Sequence, residues 1–354
     1  DKKGVARLVC NLASFLIKEI IMLVSIIISA FNEEKYLPGL IEDIKAQTYP
    51  HNLLEIVFIN AMSTDRTKEI IEDFQKSDTD FFGVKVSDNP KKVQPSGFNL
   101  GYTISSGDVV VKVDAHSKIT PDFIEKSVEI IQSGENICGG KRPTIVETTD
   151  NFSKTLNLVE ENMFGSSIAD YRKADGERYV NSIFHGMYRK EVFEKVGLLN
   201  ERLIRTEDNE IHYRIRKNGY KIKYNPDILS YQYIRPSLKK MMKQKYDNGY
   251  WIGLTSHVEA GCLSIFHFVP FVFVLGIIFS LLMLPLTKLF AVLLSVAYGL
   301  FTILVTLMTI INNKFNATML LIPILLFLVH FSYGVGTLVG LVKGFKWKKE
   351  YYKK

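Results

Sequence analysis

The run VVVKVDAHSK, residues 109–118, is a β-branched strand that stops at Asp114-Ala115-His116. Side chains two apart on a strand share a face, so this carboxylate and this imidazole can reach one common ligand. A strand that merely ends in solvent would leave the same pattern. A second acidic group lies in IRTEDNEIHYRIRKNG. There Thr206 can cap a helix, Ile211 and Ile215 form an apolar i,i+4 pair, and Gly219 ends it. Asp208 then falls in the first turn, where the helix dipole favours an ionised carboxylate able to take a proton. Glu207 and Asp208 would also be in place simply to satisfy the helix terminus.

The elements that position these groups alternate. A strand over 23–29 leads into AFNEEKYLPGLIEDIKAQTYP, where Leu37, Leu40, Ile41 and Ile44 mark a helix face. A strand over 54–59 leads into NAMSTDRTKEIIEDFQK, a polar loop and a second helix. A short strand over 83–86, a loop with Pro90 and Pro95, a helix from near Ser96 and the strand ending at Asp114 follow. Strands alternating with helices predict an α/β fold with a largely parallel, doubly covered sheet, whose ligands lie beyond the carboxyl ends of the strands. Asn32-Glu33, Ser63-Asp65 and Asp114-His116 all lie at such ends and should converge on one crevice. With neither a Walker lysine nor a Gly-rich dinucleotide fingerprint, the crevice suits a divalent cation holding a diphosphate.

The chain has 354 residues and a net charge of +7. Beyond Cys262 its composition changes. The stretches 263–286, 289–311 and 319–342 are long enough to cross a bilayer, carry almost no charge, and lack the polar faces of soluble core helices. Cys10, Cys138 and Cys262 show neither pairing nor metal-ligand spacing, which suits a reducing compartment. Met22 opens MLVSIIISAFNEE like a native start, so 1–21 reads as an amphipathic extension or an added segment. The expected organisation is therefore 1–21, a catalytic domain over 22–235, a basic interfacial segment over 236–262, membrane segments over 263–342 and a basic tail over 343–354.

VSIIISAFNEE, NAMSTDRT, GFNLGYTISSGDVVVKVDAH and RTEDNEIHYRIRKNG occur in the order and approximate spacing of family 2 glycosyltransferases, which the chain resembles over about residues 22–235. DNPKKVQPSGFNLG and the DAH motif are similar to the succinoglycan-type exopolysaccharide β-glucosyltransferases. The resemblance implies a GT-A fold, Rossmann-like with a mostly parallel sheet, followed by transmembrane helices. It places Asp114 and His116 at the metal motif, binding Mg2+ or Mn2+ with the diphosphate of a nucleotide sugar, a UDP-sugar being expected. Asn32 and Glu33 would line the nucleotide pocket, Asp65 the loop around base and ribose, and Asp208, beside Glu207, would be the catalytic base. Two departures stand out. Asn60 replaces the aspartate that accepts from uracil N3, keeping an acceptor without its charge. His116 replaces the second aspartate of the motif, which shifts metal preference toward Mn2+.

The implied reaction is inverting. An acceptor hydroxyl, deprotonated by Asp208, attacks the anomeric carbon opposite the departing diphosphate and gives a β-linkage. The expected acceptor is a lipid-linked saccharide, an undecaprenyl-diphosphate intermediate of exopolysaccharide or capsule assembly. Alternatives are transfer to a polyprenyl monophosphate, a processive polysaccharide synthase, and a non-catalytic nucleotide-sugar-binding membrane subunit. No nucleic-acid partner is expected.

RPSLKKMMKQKYDNGYWIG puts Leu238, Met241 and Met242 on one helical face and Lys239, Lys240, Lys243 and Lys245 around the rest, as helices at an anionic membrane surface do. Gln244, Gly249 and Trp251 loosely resemble the acceptor-side segment of membrane polysaccharide synthases, without its arginines. Gly336, Gly340 and Gly344 recur every four residues and would let a second helix approach closely, either from another copy, making a homo-oligomer, or from the same chain. A catalytic domain on the cytoplasmic face of the cell membrane and three complete crossings would put the basic KGFKWKKEYYKK tail outside, against the positive-inside rule. One segment is therefore expected to be re-entrant or interfacial.

Overall fold

A computed structural model describes residues 22–77, 80–147, 150–162, 164–165, 175–234 and 237–353. The N-terminal stretch expected to be an extension, with Cys10, lies outside the described residues. The chain forms two compact units. One comprises Asp1–Pro143, Lys173–Glu201 and Ile211–Gln232, the other Thr144–Arg172, Arg202–Glu210 and Tyr233–Lys354. The two units interleave along the chain. Two internal stretches belong with the apolar C-terminal helices; the first of them buries Leu156 and Val159 among them.

In the first unit the strands are β1 (Val24–Ala30), β2 (Leu54–Asn60), β3 (Gly83–Asp88), β4 (Val109–Asp114), β5 (Ser117–Ile119), β6 (Ile137–Lys141), β8 (Arg178–Val180), β9 (Met187–Arg189) and most of β10 (Ile222–Ile234); β7 (Thr144–Val146) opens the second unit. The helices are α1 (Leu37–Lys45), α2 (Thr67–Ser77), α3 (Gln94–Ile104), α4 (Phe123–Gln132) and α6 (Lys190–Val196). The sheet order is β3-β2-β1-β4-β9-β6-β10-β5, with β8 beside β10. β3, β2, β1 and β4 are parallel, and β9 runs antiparallel to both β4 and β6. The fold is thus the expected α/β arrangement with a mixed far half. β2 is buried at every position, as a strand covered on both faces must be.

Register makes the first four strands finish together. Asp114 is paired with Ser29, Ala30 with Asn60, and Asn60 with Asp88. The edge also depends on α3 lying close to β1. A Cβ at Gly97 would sit 2.6 Å from Ser29 Oγ, and one at Gly101 only 2.4 Å from Ile27 Cγ2.

The second unit holds α5 (Asn151–Glu161), the first turn of α7 (Glu207–Lys217), α8 (Leu238–Thr255), α9 (Val269–Met283), α10 (Leu289–Asn312) and α11 (Ile322–Tyr352). Three of its helical stretches, Ile265–Met283, Leu289–Asn312 and Ala317–Tyr352, are long and apolar enough to cross a membrane. Leu156 and Val159 of α5, Met241 of α8 and Ile322, Leu325, Leu326 and Val329 of α11 form one buried cluster.

Two expectations are corrected here. The glycine groove is filled from within the chain: a Cβ at Gly336 would lie 2.1 Å from the Tyr246 carbonyl oxygen, and one at Gly340 2.1 Å from that of Tyr250. α8 is the helix that glycine spacing admits, so this groove is not open to a second copy. Nor does Lys245 join the solvated basic face. It is 1% exposed and its Nζ lies 2.6 Å from Glu160 Oε2, because it shares the buried stripe of Met241 and Gly249. Lys239, Lys240 and Lys243 are exposed as expected.

Candidate active site at the carboxyl edge of the sheet

The loops after β1 and β2 are tied together by side chains chosen for short polar reach. Asn32, with a left-handed φ of 55°, donates its N–H to Ser63 Oγ at 3.1 Å and accepts from the Thr64 N–H at 2.8 Å. Glu34 donates its N–H to Asp65 Oδ2 at 3.2 Å, and the Arg66 N–H returns to Glu34 Oε2 at 3.0 Å. Asp65 Oδ1 also accepts from the Thr67 N–H at 3.0 Å, opening α2. Burial opposes ionisation of Asp65, yet these hydrogen bonds from Thr67 and Glu34 hold its carboxyl below the usual range.

Asn60 is buried at the end of β2. Its Oδ1 accepts from the Ser63 N–H at 3.0 Å and its Nδ2 donates to Asp88 Oδ1 at 2.7 Å. Both ends of the amide expected to read a base are therefore engaged in shaping the loop. Asp88, at the end of β3, keeps a partly exposed carboxylate paired with Lys68 at 2.8 Å. It belongs to this edge by register; an expected strand end at 86 left it unnoticed.

The loop after β1 also reaches β4. Glu33 receives nothing from bulk water to speak of: it is 8% exposed, its N–H donates to Thr67 Oγ1 at 2.7 Å, and its Oε1 lies 3.1 Å from His116 Nδ1. On the far side, His116 Nε2 lies 3.3 Å from Gln232 Nε2, and Gln232 Oε1 accepts from the Arg142 guanidinium. The chemistry of the ends sets every direction between them. Arginine only donates, so Gln232 accepts through oxygen and donates through nitrogen; His116 accepts at Nε2 and donates from Nδ1 to the carboxylate. β10 places Gln232 there by pairing antiparallel with β5, Gln232 against Ser117. Arg142 lies 3.8 Å from the Phe184 ring centroid, a stacking that suits a buried guanidinium.

Beneath this chain sits His185, 3% exposed and with a left-handed φ of 47°. Its Nε2 accepts from the Asp114 N–H at 3.3 Å, so the proton is on Nδ1, which donates to Ser230 Oγ at 2.9 Å; Ser117 Oγ is 3.0 Å from Nε2. Burial pushes its pKa down to about 3, overcoming the attraction of Asp114, so this imidazole is neutral. At Asp114 burial works against the charged form, but nearby positive charge, Lys112 foremost and Arg142 with it, outweighs it and the carboxyl titrates below its ordinary value. Asp114 is thus anionic at neutral pH.

The predicted crevice residues Asn32, Glu33, Asn60, Asp65, Asp114 and His116 all fall at this edge. Asp208, Glu207, Gln244 and Trp251 belong to the second unit. Glu207, Asp208 and Glu210 occupy the first turn of α7, and Arg214, Arg216 and Lys217 its last, so charge follows the helix dipole. Thr206 bonds through its hydroxyl to Thr255 Oγ1 at 2.6 Å. Gln244 is exposed, while Trp251 packs edge-to-face on Trp347 with centroids 6.0 Å apart. Sequence reading missed His185, Arg142, Gln232 and Asp88.

No three His, Cys, Asp or Glu side chains among the described residues are grouped to hold a metal alone. A hard carboxylate oxygen at Asp114 with one imidazole nearby therefore fits a cation shared with a phosphate ligand, as Mg2+ is commonly held. For His116 to join it, Nε2 must exchange the Gln232 N–H for the ion.

One edge of the α/β sheet thus gathers carboxylates, an imidazole and polar turns from the loops after its parallel strands. The model for Glycosyl transferase family 2 matches residues 25–197. A dolichyl N-acetyl-alpha-D-glucosaminyl phosphate 3-beta-D-2,3-diacetamido-2,3-dideoxy-beta-D-glucuronosyltransferase of Methanococcus voltae is 31% identical over 325 residues, covering 91% of this chain and 98% of that protein. The chain belongs to the family 2 glycosyltransferases. The succinoglycan biosynthesis protein ExoA of Rhizobium meliloti (strain 1021) is 27% identical over 63% of this chain and 67% of its own length. In fold, the chain is similar to the mannosyltransferase PcManGT of Pyrobaculum calidifontis, solved with GDP-Man and Mn2+, at a TM-score of 0.54 and 15% identity over 93% of this chain and 88% of that one.

Proposed function

We propose that this enzyme transfers a sugar from a nucleotide sugar, a UDP-sugar in the first instance, to a polyprenyl-phosphate-linked saccharide at a membrane, with inversion of configuration. The observation that carries the reading is the shared edge at which the loops after β1, β2 and β4 meet, closed by the Glu33–His116–Gln232–Arg142 chain. The acceptor class is supported by the similarity to the M. voltae protein, whose name gives a dolichyl-linked sugar as its acceptor and which this chain covers almost end to end.

In this reading the polar turns of Asn32, Ser63 and Asp65 seat the nucleoside, and Asp114 faces the diphosphate. Asp114, joined by His116, would hold a divalent cation, which when bound neutralises charge building on the leaving diphosphate. Asp208 takes the proton of the acceptor hydroxyl, its ionised form favoured by the start of α7.

The test offers a panel of nucleotide sugars with two synthetic acceptors, a polyprenyl monophosphate and a polyprenyl-linked saccharide, and weighs the products. A single addition to the lipid-linked saccharide is expected. Product on the monophosphate alone, or a polymer ladder, would replace the reading. Asp208→Asn is expected to lower transfer roughly 100- to 10,000-fold while donor affinity stays within a few-fold; full activity would remove Asp208 from the mechanism.

A further inference from the structure

We propose that α11 does not cross the membrane but lies along its surface, apolar stripe toward the lipid, so that the basic tail and the catalytic sheet share one side. Three independent observations in the second unit lead there.

The first is how the helix is tied at both ends. α11 has 31 residues and is about 46 Å long, enough to traverse a hydrocarbon core of about 30 Å. Just ahead of its start, Thr318 Oγ1 lies 2.7 Å from Thr155 Oγ1 and donates to the Asn151 carbonyl at 2.9 Å. At its end, the Arg202 guanidinium donates to the Tyr351 carbonyl and stacks on the Tyr351 ring, 5.4 Å from its centroid. Asn151, Thr155 and Arg202 lie in stretches that the chain enters from sheet strands and leaves toward sheet strands. Among the described residues, no helix of membrane length and composition precedes them. Both ends of α11 are therefore tied to stretches that connect sheet strands, with no span among the described residues between.

The second is its neighbour. Met242 meets Ser332, Gly249 meets Tyr333 and Thr337, Gly253 meets Gly340, and His257 meets Gly344. Both residue numbers rise together, so α8 runs parallel to α11 along the apolar part of α11. α8 carries exposed Lys239, Lys240 and Lys243, and Asp247 paired with Lys243 at 2.6 Å. A crossing α11 would drag this charged helix through the bilayer core, where such groups are costly.

The third is the pattern of exposure. On α11 the large exposed apolar residues are Ile324, Phe327, Phe331, Val342, Phe345 and Tyr352, whose gaps of three, four, eleven, three and seven residues all return to one face of a helix; the glycines facing α8 are buried. One apolar face along the whole length, flanked by cations, is what a helix resting in the interface presents. Lys346, Lys348 and Lys349 are exposed at its end and meet anionic headgroups there. α9 and α10 remain as the inserted pair. They are antiparallel, with Phe273 stacked on Tyr298 at 4.4 Å and Phe279 against Phe290 at 5.0 Å. Two crossings return the chain to its starting side, which reconciles the basic tail with the positive-inside rule.

Two measurements on the full chain test this, and neither depends on the donor or acceptor. Asp73→Cys and Lys349→Cys are exposed to a membrane-impermeant maleimide in sealed vesicles of known orientation, with labelling read by peptide mass. The two sites should react from the same side; reaction from opposite sides overturns the proposal. Ile324→Cys, Phe331→Cys and Phe345→Cys, each carrying a fluorophore, are then quenched by lipids spin-labelled at graded depths. One shared shallow depth is expected. A depth running from one leaflet to the other means that α11 crosses, and no quenching at any site means that a second copy covers the stripe; either result sinks the idea.

Discussion

At the scale of single residues, Asp114 and His116 have different standing although they share a strand end. Asp114 is anionic and bonded through its backbone to a neutral His185, whereas both nitrogens of His116 are engaged, by Glu33 and Gln232. Asp114→Ala is therefore expected to abolish metal-dependent donor binding together with turnover. His116→Asp is expected to keep activity and move the ratio of rates with Mn2+ and Mg2+ toward Mg2+, a hard oxygen replacing nitrogen. Titrating both metals against both variants decides the matter, and an unchanged ratio in His116→Asp would show that His116 only positions Glu33. The residues legible in sequence were those on consecutive βα loops, since a parallel sheet sends every such loop to one edge. Gln232, Arg142 and His185 arrive through β10, β6 and β9, whose neighbours in the sheet are distant in the chain. No local pattern announces such pairings, and His185 gives only a left-handed backbone that sequence does not display.

At the scale of elements, the glycines show what periodicity can and cannot say. Spacing of four residues announced a close helix contact, and one exists; its partner, α8, was not specified, because a groove has the same sequence whichever helix enters it. Leu at Gly336 and Gly340 would collide with the backbone of Tyr246 and Tyr250. The double variant is expected to lower the unfolding temperature in detergent with no change in subunit number, as mass measurement can show. Overpacking of this kind costs about 1–3 kcal/mol per site. An oligomer that dissociates on substitution would instead restore an intermolecular role. Lys245 carried a readable signal, lying four residues after Met241 and four before Gly249, but its charge argued for solvent. Glu160, on a helix 85 positions earlier, is what permits its burial.

At the scale of the whole molecule, the first four strands were readable to within two residues, while β5 to β10 and the interleaving of the two units along the chain were not. Hydropathy locates the apolar helices, but it does not report that α5, encoded between β7 and β8, contributes Leu156 and Val159 to their packing. This interleaving bears on how the enzyme can be handled. Ending the chain before Ile265 removes every stretch that, among the described residues, is long and apolar enough to cross a membrane, yet it leaves α5 and α8 stripped of Leu325, Leu326 and Val329, which cover them. Such a shortened protein is expected to elute from size-exclusion chromatography as aggregate without detergent and to disperse when detergent is added. A monodisperse, detergent-free product would show that α5 finds another cover. The route to a well-behaved water-soluble form runs instead through replacing the exposed faces of α9 and α10 and the exposed stripe of α11 with polar side chains, while the buried face of α11 that covers α5 and α8 is kept.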